Sequence, residues 1–141
     1  MSAHVFSEIF LHNNWHTDGD LPQLKPEIEL FVHNYITNRC RETKGVFIEG
    51  VNGTEDHVHL AFRIEPHICI SGLLGEIKGG SAFEANKHFG ARTLTWQRGF
   101  GSVSFGKRQL KWVKDYIANQ KEHHRCGTTF QRLEITGTED P

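Results

Sequence analysis

The chain has 141 residues, 37% hydrophobic and 23% charged, with a formal net charge of −1, which allows one domain with a real core and leaves little room for two. No apolar run approaches the roughly 18 residues that a membrane helix requires, and the start lacks the basic-then-apolar layout of a secretion signal, so a cytoplasmic protein with no membrane partner is expected. Cys40, Cys69 and Cys126 are far apart and form no Cys-x-x-Cys pair, so neither a disulfide framework nor a cysteine zinc site is indicated.

Val5–Leu11 is rich in strand formers and reads as a first strand, followed by a polar loop through Asn13, Asn14, Asp18 and Gly19. Pro26 and Glu27 suit a helix's first turn, and Ile28, Phe31, Val32, Tyr35 and Ile36 recur at helical spacing until Gly45. Val46–Val51 is a second strand, and the Asn52-Gly53 pair signals a hairpin into a third, His57–Ile64. That strand alternates strictly: Val58, Leu60, Phe62 and Ile64 share one face, and His57, His59, Ala61 and Arg63 share the other. A second helix is expected from about Ile68 to His88, with Gly79-Gly80 as a weak point. Thr93–Trp96 and Val103–Phe105 flank Gly99-Phe100-Gly101 and read as a fourth strand broken or bent by glycine, and a last helix is expected from about Lys107 to His124. This order predicts a ferredoxin-like α+β fold: an antiparallel sheet with two helices on one face, plus a C-terminal helix. Residues 1–134 are taken as a single domain and 135–141 as an acidic tail.

Ten histidines are many for this length, and imidazole is both a metal ligand and a group that titrates near neutral pH. His57 and His59 stand two residues apart on one strand face, close enough for one ion; two solvated histidines on an exposed sheet are the plainer alternative. On the last helix Tyr116 and Gln120 lie roughly 40° apart and about 6 Å apart along the axis, and so can serve one site. Spacing alone equally allows Tyr116 to be a boundary tyrosine with a buried ring and a wet hydroxyl. No phosphate-cradling Gly-x-x-x-x-Gly-Lys-Ser/Thr loop is present.

Four segments carry a resemblance: Thr54–Leu60, Ile77–Ser81, Trp96–Ser104 and Asp115–His124. Together they resemble the single-tyrosine HUH transposases of the insertion sequence 200/605 type, and especially the REP-associated tyrosine transposase branch, over roughly residues 4–134. The resemblance implies that Tyr116 is the nucleophile and that His57, His59 and Gln120 bind a divalent cation, Mg²⁺ or Mn²⁺. It further implies a transposase that cleaves and rejoins single-stranded DNA beside hairpins through a 5′-phosphotyrosine link, as a homodimer. His123 and His124 resemble a pair found after the glutamine in relatives; favourable placement of imidazoles at a helix C-terminus is the alternative.

The net charge conceals a basic centre. Residues 1–70 carry 5 basic and 10 acidic side chains, residues 71–132 carry 11 and 4, and residues 133–141 carry 0 and 3. Lys78, Arg98, Lys107, Arg108, Lys111 and Lys114 are the candidate DNA-binding cations within the basic stretch. Trp96, Phe100 and Trp112 are candidates for stacking on bases, with core packing the commoner fate. Two alternatives remain beside the transesterase: a domesticated ferredoxin-like nucleic-acid-binding protein without catalysis, and a phosphodiesterase that uses water in place of Tyr116.

Overall fold

The computed structural model describes residues 4–137. Its strands are β1 (Ile9–His16), β2 (Val46–Gly53), β3 (His57–Ile64) and β4 (Gly101–Phe105); its helices are α1 (Pro26–Glu42), α2 (Ile70–Phe89), α3 (Leu110–Ala118) and α4 (Gln120–Cys126). The strands form one sheet in the order β2-β3-β1-β4, and all three pairings are antiparallel. This is the expected ferredoxin-like α+β arrangement, with β1 and β3 at the centre.

The alternation of β3 explains why the sheet has two unlike faces. Val58, Leu60, Phe62 and Ile64 are buried with Leu11 and Trp15 of β1, and against them pack Val32, Ile36 and Cys40 of α1 and Leu73, Leu74, Ile77 and Ala85 of α2. Each fully buried aliphatic side chain here contributes about 1.5–3 kcal/mol relative to an exposed one. The other face carries His57, His59 and Ala61, and α3 covers it with a smaller apolar contact of Val113 and Ile117 on Ala61 and Phe105. The predicted direction of the histidine pair is therefore correct, but both rings are buried under the C-terminal helices.

Four local features differ from the sequence-based expectation. The first strand, expected at Val5–Leu11, runs from Ile9 to His16, so Asn13 and Asn14, expected in a loop, pair with Leu60 and His59 of β3. The expected weak point at Gly79-Gly80 lies inside an unbroken α2: a Cβ on Gly80 would overlap the Tyr35 hydroxyl, so the missing side chain is what lets α1 and α2 approach. Only Gly101–Phe105 of the expected fourth strand pairs as a strand; Trp96 makes an isolated bridge to Thr17, and its indole N–H donates to Ser81 Oγ at 3.0 Å. The last helix is divided at Asn119 (φ −108°, ψ 25°), leaving Tyr116 near the end of α3 and Gln120 at the start of α4. Side chains hold this break: Asn52 Nδ2 donates to the Ala118 carbonyl at 3.1 Å and Asn119 Nδ2 to that of Asp115 at 2.8 Å.

Of the expected acidic tail, residues 138–141 lie outside the described residues, whereas the Gly137 N–H donates to the Phe100 carbonyl at 3.0 Å. No described helix is long and apolar enough to cross a membrane.

Leu60→Ala would empty the centre of the larger core, where Leu60 is fully buried. The expected loss is about 3 kcal/mol of unfolding free energy from lost transfer energy plus the cavity, read as a lower urea midpoint at unchanged slope.

Candidate active site

The second sheet face is polar along its central strands. His12 and Asn14 of β1 stand beside Ala61 and His59 of β3 in the pairing register, so β1 adds its own polar side chains next to the histidine pair. The His57 and His59 rings lie 5.0 Å apart between centroids.

Each ring is fixed from behind. Asp56 Oδ1 lies 2.7 Å from His57 Nδ1, and Thr54 Oγ1 lies 2.9 Å from the same nitrogen while donating to Asp56 Oδ1 at 3.0 Å. The hydrogen bond with His57 is the largest influence holding the Asp56 carboxyl below its ordinary range. With the Nδ1 proton on the Asp56 side, the His57 Nε2 lone pair is directed into the site. His59 is backed by His12, whose Nε2 lies 2.8 Å from His59 Nδ1. Burial lowers His12 to about 3 and His59 to about 4, with neighbouring imidazoles adding to both effects. Both rings are accordingly neutral at pH 7, the form that ligates metals.

In front of the histidines is a carboxylate that no periodicity announced. Glu134 Oε1 lies 3.1 Å from His59 Nε2, 3.7 Å from His57 Nε2 and 3.3 Å from His124 Nε2, and its Oε2 accepts a short hydrogen bond from the Tyr116 hydroxyl. Burial alone would raise the Glu134 carboxyl, but its hydrogen bond and charge interaction with His59, then the Tyr116 hydrogen bond, bring it down to about 2. Tyr116 is pushed up to about 12, first by burial and then by the bond to Glu134, while the Phe130 N–H, donating to the hydroxyl at 2.8 Å, acts the other way. The phenol ring is held between Trp112 (centroids 5.4 Å apart, interplanar angle 11°) and His123 (4.7 Å, 28°).

The structure brings together Tyr116, His57 and His59 around Glu134. Gln120 is fully buried; its Nε2 donates to the Tyr116 carbonyl at 3.3 Å, and its Oε1 is buried without a partner. A buried amide oxygen without a donor is costly unless something binds it. The imidazoles of His57, His59 and His124 and the Glu134 carboxylate are grouped closely enough to hold one ion, and this donor set suits a divalent cation.

The cations differ in their engagement. Lys78 donates to the carbonyls of Gln97 and Gly99 at 2.9 and 2.7 Å, and burial lowers its pKa. Lys107, Arg108, Lys111 and Lys114 are exposed along α3 and the 3₁₀ turn before it, and Arg98 is exposed in the loop ahead of β4. Trp96 is spent on the core against Trp15, whereas Trp112 is half exposed.

Comparison with known proteins identifies the family and the fold. The profile described as "Transposase IS200 like" matches residues 6–120. The chain belongs to the IS200-like transposase family. Transposases for insertion sequence element IS200 from Salmonella typhimurium and Salmonella typhi are each 30% identical over 98 residues, covering 65% of this chain and 64% of those proteins. The fold matches a solved candidate transposase from Deinococcus radiodurans R1 with TM-score 0.68 at 17% identity, over 85% of this chain and 96% of that one. It also matches a REP-associated tyrosine transposase solved bound to a REP hairpin, with TM-score 0.63 at 16% identity, over 92% of this chain and 76% of that one. The family profile stops at Gln120 and so leaves out His124 and Glu134.

His12 was legible in principle: once β1 is placed beside β3, its alternation puts His12 on the histidine face. Asp56 adjoins His57 in sequence, though only the folded hairpin aims it at Nδ1. Glu134 had no comparable signal, because its position depends on tertiary packing of 130–137. A Cβ at Gly101 would overlap the Ile135 carbonyl oxygen and lie 2.5 Å from Asn14 Oδ1. Gly101→Ala is therefore expected to displace the segment carrying Glu134 while the sheet survives, seen as faster amide hydrogen exchange confined to residues 130–137.

Proposed function

We propose that this protein is a metal-dependent single-strand DNA transesterase that cleaves and rejoins DNA beside a hairpin, with Tyr116 as nucleophile, His57, His59 and Gln120 as cation ligands, and a homodimer as the working form. One observation carries it: a single carboxylate contacts both the Tyr116 hydroxyl and the Nε2 atoms of the histidine pair. Tyr116 and the histidine pair thus converge within the span of one small anionic group, as attack by the phenol on a phosphodiester lying beside the histidines would require. The REP hairpin held by the structurally similar tyrosine transposase supports the hairpin part of the reading.

The chemistry balances without an energy source. The phenolic oxygen bonds to phosphorus as the P–O3′ bond breaks, leaving the 5′ side on Tyr116 and a free 3′-hydroxyl; one phosphodiester replaces another, so the step is reversible. A divalent cation, when bound, offsets negative charge on the phosphoryl group. The phenol is protonated at neutral pH and must lose its proton as it attacks; Glu134 Oε2 accepts the hydrogen bond of that hydroxyl and so orients it, and the departing 3′ oxygen takes up a proton to become the 3′-hydroxyl. Trp112 and His123, stacked on either side, stop the phenol from swinging away from its target. The exposed Lys107, Arg108, Lys111 and Lys114, with Arg98, are assigned to the DNA backbone; Lys78 would first have to give up its two carbonyls.

Incubation with Mn²⁺ or Mg²⁺ and hairpin-bearing single strands should yield a protein–DNA adduct that survives denaturing electrophoresis and disappears in Tyr116→Phe. Cleavage persisting in Tyr116→Phe without an adduct would mark a water-using phosphodiesterase. Binding indifferent to both Tyr116→Phe and chelator, with no cleavage, would mark a non-catalytic module.

The role of the α3 cations is checked separately by salt titration. Lys107→Ala with Arg108→Ala should weaken single-strand binding across sequences and flatten the plot of log K against log salt by about 0.7 for each phosphate that is no longer neutralised.

A further inference from the structure

We infer that His124 and Glu134 are themselves ligands of the metal centre, so that His57 Nε2, His59 Nε2, His124 Nε2 and Glu134 Oε1 are four donors to one ion, beside the Gln120 amide already assigned to it. The inference rests on the reading that His57 and His59 hold a cation. It extends that site to two residues from segments beyond the matched family profile.

The four donor atoms all lie within 4.8 Å of one another. The pairs His57–His124, His59–Glu134, His124–Glu134 and His57–Glu134 are separated by 3.1, 3.1, 3.3 and 3.7 Å. Ligands about 2.1 Å from a common ion are about 3.0 Å apart when cis in an octahedron and about 3.4 Å apart in a tetrahedron. These four separations are those of neighbouring ligands in one coordination shell.

Proton counting points the same way. The Nδ1 proton of His57 faces Asp56, so His57 Nε2 presents a lone pair; yet its neighbour at 3.1 Å is another imidazole nitrogen, His124 Nε2. Without a cation, His124 Nε2 holds at most one proton to share between His57 Nε2 and Glu134 Oε1. One ion accepts the lone pairs of all four atoms together. It also offsets the two negative charges of Glu134 and Asp56, which otherwise oppose an incoming phosphodiester.

The ligand role gives the two oxygens of Glu134 separate duties. Oε1 belongs to the cation while Oε2 holds the Tyr116 hydroxyl, so filling the metal site fixes the nucleophile through the same carboxylate. His124 becomes a ligand, whereas its neighbour His123 stacks on the phenol.

The test is direct binding of Mn²⁺ to the full chain without DNA, followed by electron paramagnetic resonance and calorimetry. Wild type, His57→Ala, His124→Ala and Glu134→Gln are compared after thermal melts show each folded. Expected are one tight site in wild type, a loss of about tenfold or more in all three variants, and zinc-induced ¹⁵N shifts at the Nε2 atoms of His57, His59 and His124. If either His124→Ala or Glu134→Gln binds Mn²⁺ like wild type while His57→Ala does not, the four-donor assignment is overturned and the histidine-pair reading stands. Failure of wild type to bind, or wild-type binding by His57→Ala, overturns both.

Discussion

The site depends on the register of β3 against β1. Side chains alternate along a strand, so a slip of one residue would turn His57 and His59 into the helix-covered core and expel Val58, Leu60, Phe62 and Ile64 from it. The four apolar side chains make that slip prohibitively costly, and they thereby aim the histidines without touching them. The same register sets His12 diagonally across from His59, so the backing hydrogen bond and the histidine face come from a single pairing. The placement of the histidines in this chain is thus a by-product of hydrophobic packing on the opposite side of the sheet.

A polar cluster this buried needs its own closure. The contact of α3 with the sheet is small, centred on Val113 and Ile117, and leaves the histidines to be covered by α4 and residues 130–137. The last helix cannot run straight and do both. With the break at Asn119, α3 keeps its apolar contact and Tyr116, while α4 carries His123 to the phenol ring and His124 to His57. Asn52, at the end of β2, donates to the last α3 carbonyl, so the hairpin that positions His57 also sets where the helix stops.

These relations explain what could be read in the sequence and what could not. The face of the histidine pair, the start of α1 at Pro26 and the helical location of Tyr116 follow from period and local chemistry, and they hold. The break at Asn119 is a tertiary effect: nothing in Asp115–His124 forbids a continuous helix, and the partner that ends it lies 66 residues away in Asn52. Gly79-Gly80 misleads for a related reason. Intrinsic propensity counts glycine against a helix, but the space Gly80 leaves for Tyr35 outweighs about 1 kcal/mol of backbone entropy. Glu134 is the sharpest case, since a single acid in an aperiodic segment acquires meaning only when Gly101 lets that segment lie against β4.

The basic stretch also changes meaning once its partners are known. Lys121 reaches Glu29, Asn52 and the Gly53 carbonyl, and Lys78 bonds two carbonyls; removing either would unpin the β2–β3 turn or the loop before β4. The cations of α3 are different. Lys111 pairs with Asp115 at 2.9 Å and Lys114 with Glu49 at 3.8 Å, both lysines well exposed. Exposed pairs of this kind contribute about 0–1 kcal/mol, little enough to be exchanged for a phosphate. An excess of positive charge in the sequence therefore divides into cations that hold the scaffold and cations that remain exchangeable, and the exchangeable ones lie on the helix that carries Tyr116.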